Sequence, residues 1–293
     1  MCDKATVERW AKGQLSRREF GALTGAAALT ACSGGEAAAG AETGSAAPDV
    51  IESNVSFETE DGTMDAVLFH PAEGAYPAVI HWPDIAGIRQ SHRNMAARTA
   101  AAGYAVLLVN PYYRDAVGEI WTDFADFVGN GGWDIAKGFR ANLSSFAIRR
   151  DTQAIVSWLD GQPSVDTERG IGAEGYCMGG PFTVYSASEV PSRVKAAASF
   201  HGGGLVRDDA ESPHKLMAGS DASFLYAIAQ DDDAKAPDDK TALAAAPVAE
   251  GRTAVVDVYA GDHGWTVPDA PAFAKEEADR AFAAKIELYE GAL

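Results

Sequence analysis

Patterns typical of buried strands alternate with helical patterns along most of this chain, and that alternation constrains its fold more than any other feature. The predicted strands are short, mainly apolar segments at 76–82, 104–109, 171–175, 194–200, 224–229 and 254–259. The predicted helices follow at 91–102, 144–159, 180–189, 239–249 and 271–289. Strands that alternate with helices form βαβ units, in which helices cover both faces of a mainly parallel sheet. The sequence therefore predicts an α/β fold.

A β-hairpin pattern precedes the first of these strands. Residues 54–71 alternate between apolar and polar residues on both sides of Asp61 and Gly62, a pair that is typical of a tight turn. The chain is 47% hydrophobic, which is enough to build a full core. We therefore expect one folded domain that comprises residues 50–293.

One connection in the predicted fold is unusually long. Residues 115–142 join a strand to a helix, where about 2–6 residues are usual. The segment carries aromatic residues beside the glycine-rich stretch 129–132. Such a segment either forms a lid above a site or packs on its own aromatics at the surface, and the sequence leaves both alternatives open.

The first 31 residues are typical of an export signal. Arg17 and Arg18 precede an uncharged segment, 21–31, and together they resemble a bacterial twin-arginine signal. That segment is shorter than the about 20 apolar residues of a membrane-spanning helix. The sequence LTAC, which ends at Cys32, resembles a lipobox, so we expect lipid attachment at Cys32, a flexible tether over 32–49, and a periplasmic or cell-surface location. The alternative is an ordinary amphipathic N-terminal helix.

The net charge and the histidine spacing exclude several kinds of partner. A formal charge of -18 disfavours nucleic acid and anionic membrane surfaces, because both attract clusters of Lys and Arg. We therefore expect a small-molecule substrate, no nucleic acid partner, and membrane attachment only through Cys32. We also expect a monomer. The six histidines show no metal-ligand spacing, so no metal and no cofactor is predicted.

The pattern G-x-C-x-G surrounds Cys177, the one cysteine of residues 50–293. Gly175 and Gly179 frame it at the end of a predicted strand and before a predicted helix, which is typical of a nucleophile elbow. The N-terminus of the following helix would favour a thiolate at this position. With Cys2 in the signal and Cys32 lipidated, we expect no intramolecular disulfide and no partner cysteine for thiol redox chemistry.

An elbow requires an acid and then a histidine, each after one further strand. Asp231, Asp232 and Asp233 follow the next but one predicted strand, and His263 follows the last. His263 would then be the general base for Cys177, and the alternative is a surface histidine. The residues alone leave open which of the three aspartates is the acid.

The domain resembles the dienelactone hydrolase family of α/β hydrolases. The resemblance rests on WPDIAGI at 82–88, NPYYR at 110–114, GYCMGG at 175–180, HGWTVPD at 263–269, and the Asp-rich loop with its following Pro237. It implies an α/β-hydrolase fold and a carboxylic ester hydrolase of the carboxymethylenebutenolidase type. In such an enzyme a Cys-His-Asp triad cleaves an ester or lactone through a thioester acyl-enzyme.

The resemblance also assigns roles to individual residues. Counted from Ala229, the small residue at the end of its strand, the acid is Asp232. The backbone N–H groups of Ile85 and Met178 would form the oxyanion hole.

Three further positions follow from the same resemblance. Asp84 stands where the family usually has a glutamate that can reach the thiol, and Arg114 is placed near the carboxylate of the substrate. The second arginine of the family is Val267 here, which favours a broader ester or lactone substrate. The alternative function is a catalytically silent, lipid-anchored binding module on the same fold.

Overall fold

An eight-stranded sheet forms the centre of the computed structural model, which describes residues 49–293. The predicted signal, Cys32 and residues 33–48 of the tether lie outside the described residues. The strands are β1 (Val50–Thr59), β2 (Gly62–Pro71), β3 (Ala78–Trp82), β4 (Ala105–Val109), β5 (Ile171–Tyr176), β6 (Val194–Phe200), β7 (Ser223–Ala229) and β8 (Ala254–Tyr259). Their order is β1-β2-β4-β3-β5-β6-β7-β8. The pairs β1–β2 and β2–β4 are antiparallel and the others parallel, which confirms the predicted mainly parallel sheet and its hairpin.

Helices cover both faces of this sheet. The described helices are α1 (Gln90–Ala101), α2 (Phe124–Gly129), α3 (Gly132–Arg140), α4 (Ser145–Asp160), α5 (Gly180–Glu189), α6 (Pro213–Leu216), α7 (Gln230–Lys235), α8 (Asp239–Ala245) and α9 (Lys275–Ala292). Successive residues of β3 show the two faces, since side chains alternate along a strand. His81 bonds to His92 of α1, whereas the indole N–H of Trp82 donates to Ser186 of α5.

Helix ends and short helices are where the structure departs from the sequence predictions. The helix predicted to reach residue 249 ends at Ala245, because Ala246 precedes Pro247 and takes extended backbone angles, as residues before proline do. The last helix begins at Lys275 and not at residue 271. Helices α2, α3, α6 and α7 were not predicted. Among the described residues, no helix combines the length and apolar character needed to cross a membrane.

Candidate active site

Cys177 lies at a sharp turn between β5 and α5. It begins the helical turn Cys177–Gly179 and has a φ of 52°, in the left-handed region that residues other than glycine rarely adopt. Such strain is typical of a nucleophile held above the edge of a sheet. The thiol also lies at the N-terminal end of the turn and of α5, where the helix dipole favours its thiolate form.

Cys177 is disulfide-bonded in the structure. This bond differs from the expectation of no intramolecular disulfide. Nucleophilic chemistry at Cys177 requires the reduced thiol.

Glycines surround Cys177 because no side chain fits at their positions. A Cβ on Gly175 would lie 2.1 Å from the carbonyl oxygen of Gly179, and one on Gly179 would lie 2.5 Å from that of Trp82. A Cβ on Gly180 would lie 2.5 Å from the Cα of Gly202, in the loop after β6. The G-x-C-x-G pattern therefore allows the backbones around the turn to approach more closely than other residues permit.

His263 and Asp232 meet beyond the ends of β7 and β8. Nδ1 of His263 lies 2.5 Å from Oδ2 of Asp232, which fixes the orientation of the imidazole ring. Burial raises the pKa of the Asp232 carboxyl, but the hydrogen bond and charge of His263 outweigh burial and hold this pKa below its usual value. The backbone N–H of His263 donates to Oδ1 of Asp231 at 2.8 Å, whereas Asp233 pairs with Lys240. Two adjacent aspartates thus bind the ring and the backbone of one histidine.

His201 packs against His263 from inside the protein. The two ring centroids are 5.0 Å apart, and Nε2 of His201 lies 2.7 Å from Oγ1 of Thr266. Burial lowers the pKa of His201 to about 3, so this ring is neutral at ordinary pH. His201 therefore packs beside His263 as a structural histidine.

Cys177 and His263 line the same cavity, which has a volume of about 260 Å³. The other residues that line it are Arg140, Leu143, Met178, Pro181, Phe182, Tyr185, Gly203, Gly204 and Arg207. Cavities for small ligands usually measure about 300–1,000 Å³, so this one suits a small substrate. Its wall is mainly apolar, and its two arginines supply positive charge.

The loop after β3 brings Ile85 towards the elbow. Oδ1 of Asp84 accepts a hydrogen bond from the N–H of Ala86 at 2.9 Å, which shapes this loop. The hydroxyl of Tyr112 donates to the carbonyl oxygen of Ile85 at 2.8 Å and lies 3.3 Å from the sulfur of Met178. Met178 is the second residue of its helical turn, where a backbone N–H has no partner within the helix. Tyr112 therefore connects the two residues predicted to form the oxyanion hole.

Most of this chain is similar to one known protein family. Residues 64–293 match the sequence profile of the dienelactone hydrolase family. The chain belongs to that family.

Individual relatives of the dienelactone hydrolase family agree with this assignment. A Synechocystis protein, described as a candidate carboxymethylenebutenolidase, is 30% identical over 158 residues, which is 54% of this chain and 61% of that protein. The chain thus spans less than two thirds of the length of this curated relative. A candidate dienelactone hydrolase from Klebsiella pneumoniae has 22% identity and a TM-score of 0.65 over 83% of this chain and 99% of its own. The dienelactone hydrolase of Anabaena variabilis has 20% identity and a TM-score of 0.56 over the same shares. These structures show a shared α/β-hydrolase fold.

Asp84, which stands where this family usually has glutamate, is buried and bound at both of its oxygens. Nη1 and Nη2 of Arg89 donate to Oδ1 and Oδ2 at 2.7 and 2.8 Å, and Nε2 of His92 lies 3.4 Å from Oδ2. Burial raises the pKa of Asp84, but Arg89 and His92 outweigh burial and hold this pKa far below its usual value. Asp84 is therefore an ionised anchor for the loop after β3.

Arg114 is not among the residues that line the cavity of Cys177 and His263. Its guanidinium donates to Asp151 at 2.7 and 2.9 Å and to Asp61 at 2.6 and 3.0 Å, so protein carboxylates occupy both sides of it. The structure thus does not bring Arg114 together with Cys177 and His263. Arg140 and Arg207, which the sequence analysis did not single out, line the cavity with them.

The long connection 115–142 packs on its own aromatic residues, which is one of the two alternatives that the sequence left open. Its aromatic rings pack on one another, with centroids 4.9 Å apart for Phe127 and Trp133. Its last helical residue, Arg140, lines the cavity of Cys177 and His263. The segment is attached at its other end, where the backbone N–H of Phe124 donates to Asp269 at 3.0 Å. Asp269, in the loop of His263, also binds Arg89. This ion pair therefore connects the segment with the loop of His263 and with the loop after β3.

A series of buried ionisable side chains runs from Asp84 to α9. Nδ1 of His92 lies 2.8 Å from Nε2 of His81, and Nδ1 of His81 lies 2.6 Å from Glu174. Glu174 also pairs with Nζ of Lys285 at 2.6 Å, and these two side chains are 0% and 2% exposed. Burial raises the pKa of Glu174, but Lys285 and His81 outweigh burial and lower it to about 2. Within residues 49–293, no cluster of three or more His, Cys, Asp or Glu side chains could hold a metal ion.

We expect Lys285→Met to lower the free energy of unfolding by about 3–5 kcal/mol, because it leaves the Glu174 carboxylate buried without its cation. Urea unfolding at pH 7, followed by circular dichroism, measures this change. Because folding lowers the pKa of Glu174, its contribution is present above its unfolded value of 4.5 and is lost as pH falls towards 2. Lys275→Met, on the same helix but 76% exposed, is the control, and equal midpoints for the two variants would contradict the prediction.

Proposed function

We propose that this protein hydrolyses small esters or lactones of carboxylic acids through the triad of Cys177, His263 and Asp232. One observation carries the proposal: Asp232 orients the ring of His263, and His263 and Cys177 line one cavity at the elbow. Membership of the dienelactone hydrolase family, and relatives described as candidate carboxymethylenebutenolidases, support the same reaction class. The proposed chemistry needs no cofactor.

The first half of the proposed reaction forms an acyl-enzyme. His263 takes the proton of the Cys177 thiol, and the sulfur attacks the carbonyl carbon of the ester. The negative charge on the carbonyl oxygen is stabilised by the backbone N–H groups of Ile85 and Met178. When the tetrahedral intermediate collapses, the C–O bond breaks, a thioester forms on Cys177, and His263 gives its proton to the departing alkoxide.

The second half releases the acid. His263 takes a proton from water, the hydroxide attacks the thioester carbonyl, and the same oxyanion hole stabilises the new intermediate. The C–S bond then breaks, and the sulfur recovers a proton from His263. Throughout both halves the Asp232 carboxylate stabilises the imidazolium that forms on His263. The products are one carboxylic acid and one alcohol, or one hydroxy acid from a lactone.

A panel of lactones and short-chain aryl esters tests this proposal on the reduced protein, with and without a thiol-alkylating reagent. We expect turnover of at least one substrate class, and its loss after alkylation. Turnover that survives complete alkylation contradicts the thiol mechanism. Absence of turnover across the whole panel favours the silent binding module.

The charge of the cavity refines the substrate class. Arg140 is the last residue of α3 and lines the cavity. Arg207 also lines the cavity, and its guanidinium donates to the hydroxyl of Tyr185 at 3.2 Å and to Asp209 at 2.8 Å. We propose that these arginines favour esters or lactones that carry a carboxylate. They would take the place that the family resemblance gave to Arg114.

We expect Arg140→Gln to raise KM for a carboxylate-bearing ester by about tenfold, the effect of losing one hydrogen bond between charged groups. KM for an uncharged ester of the same size should change little. Steady-state kinetics on the two matched esters measure the difference. Arg150→Gln is the control, since Arg150 pairs with Glu60 and Asp61 away from the cavity, and an equal rise for both esters would contradict a charge-specific role.

We also propose export by the twin-arginine route and lipid attachment at Cys32, on the evidence of the sequence pattern. Changing both Arg17 and Arg18 to Lys should leave the protein in the cytoplasm. Cys32→Ala should release it from the membrane fraction. Cell fractionation with immunoblotting measures both results, and unchanged membrane association of the Cys32→Ala variant would contradict lipidation.

A further inference from the structure

A second cavity, of about 450 Å³, lies between α1 and α9. It shares no lining residue with the cavity of Cys177 and His263. Its volume falls within the about 300–1,000 Å³ that is usual for small-ligand sites. Met95, Phe200, Phe273 and Phe282 are among the apolar residues that line it. The proposed hydrolysis uses none of these residues.

Two cations and one anion at this cavity leave a net positive charge. Arg98 of α1 lies 2.9 Å from Oδ1 of Asp279, and Nζ of Lys275 lies 2.5 Å from Oδ2 of the same carboxylate. Two cations therefore share one anion. Arg98 is 48% and Lys275 76% exposed, which places these charges towards solvent, where an entering ligand would meet them first.

Deeper charges in this cavity are already balanced. Lys285 also lines the cavity, but its ammonium group pairs with the buried Glu174. The guanidinium carbon of Arg98 lies 3.8 Å from the ring centroid of Phe282, and Nζ of Lys285 lies 4.8 Å from the same centroid. The uncompensated charge is thus the single positive charge shared by Arg98 and Lys275.

We propose that this cavity is a second binding site, and that its ligand is a small amphiphilic monocarboxylate. The apolar body of the ligand would pack among the aromatic and methionine side chains, and its carboxylate would bind Arg98 and Lys275. A dianion would bring one charge near Asp279, which repels it. An uncharged apolar molecule would gain nothing from the excess positive charge. The inference does not depend on the proposed hydrolysis.

Calorimetric titration with octanoate tests the site on the full chain, reduced and then alkylated at Cys177 with N-ethylmaleimide. Alkylation blocks the catalytic cavity, so binding there does not contribute. We expect one octanoate per chain, and weaker binding of both octanol and octylamine. Absence of octanoate binding, or octanol binding of equal affinity, would overturn the proposal.

Two variants and a control locate the binding. Arg98→Gln should weaken octanoate binding by about fivefold, the effect of one half-exposed charge pair. Ala278→Leu, which extends a side chain into the cavity, should weaken it as well. Arg93→Gln is the control, because Arg93 lies on the same helix but pairs with Glu52. Thermal unfolding checks that all three variants fold. Wild-type affinity in both Arg98→Gln and Ala278→Leu would overturn the proposal.

Discussion

Cys177→Ala is expected to lower ester or lactone turnover by about a million-fold, the scale of loss when a triad nucleophile is removed. The oxyanion donors remain in this variant, but no atom is left to form the thioester. The fold should persist: the Cys177 side chain is only 5% exposed, yet it lines a cavity and is not enclosed by core side chains on every side. The measurement is kcat/KM on an aryl ester under reducing conditions, with circular dichroism as the folding check.

Two further substitutions make this result specific. Cys177→Ser should retain little activity, because a hydroxyl is far less acidic than a thiol at a site built for sulfur. Cys32→Ala, which removes another cysteine of the same chain, should keep full activity. Near-wild-type turnover by Cys177→Ala would exclude the thiol mechanism.

The parts of the fold that sequence predicted well are those determined by local patterns. The strand before Cys177 is fully buried, and the glycines on either side of Cys177 have no room for a Cβ. The G-x-C-x-G pattern could therefore be recognised in the sequence, because close backbone packing requires those glycines. Asp232 and His263 could then be found because each was expected shortly after the end of a predicted strand. These side chains meet because parallel strands end at one edge of the sheet.

Contacts between distant segments were not predictable in the same way. Arg114 lies beside Asp151 and Asp61, which are 37 and 53 positions away in sequence, and only the packed hairpin and α4 bring these carboxylates to it. Arg140 reaches the catalytic cavity through helices of the long connection that sequence did not predict. The residue types gave no signal that one arginine is paired inside the protein and the other lines the cavity.

The three consecutive aspartates after β7 were only partly predictable from the sequence. They follow β7 directly and form the first turn of α7, where acidic side chains are favoured by the helix dipole. Counting from Ala229 selected Asp232, the carboxylate that now lies 2.5 Å from Nδ1 of His263. That Asp231 also accepts the backbone N–H of His263 was not predicted from the sequence.

Asp232→Asn is expected to lower kcat by about 10⁴-fold, because an amide that donates its own hydrogen bond to Nδ1 holds the wrong tautomer of His263 and cannot stabilise imidazolium. Asp231→Asn keeps a side-chain oxygen that can accept the backbone N–H of His263, so its effect should be modest. Asp233→Asn should also have a modest effect, since Asp233 pairs with Lys240 at 2.8 Å and contacts neither the ring nor the backbone N–H of His263 through any described hydrogen bond.

Asp231→Ala separates the two roles of this aspartate pair. It removes the acceptor for the His263 backbone, so we expect a larger loss of kcat than in Asp231→Asn, yet a smaller one than in Asp232→Asn. A ranking of the four variants by kcat on one aryl ester measures this order. If Asp231→Asn proves as damaging as Asp232→Asn, the charge of Asp231 is needed, and Asp232 is not the sole acid of the triad. If Asp231→Ala has no effect, the backbone hydrogen bond to His263 does not position the catalytic base.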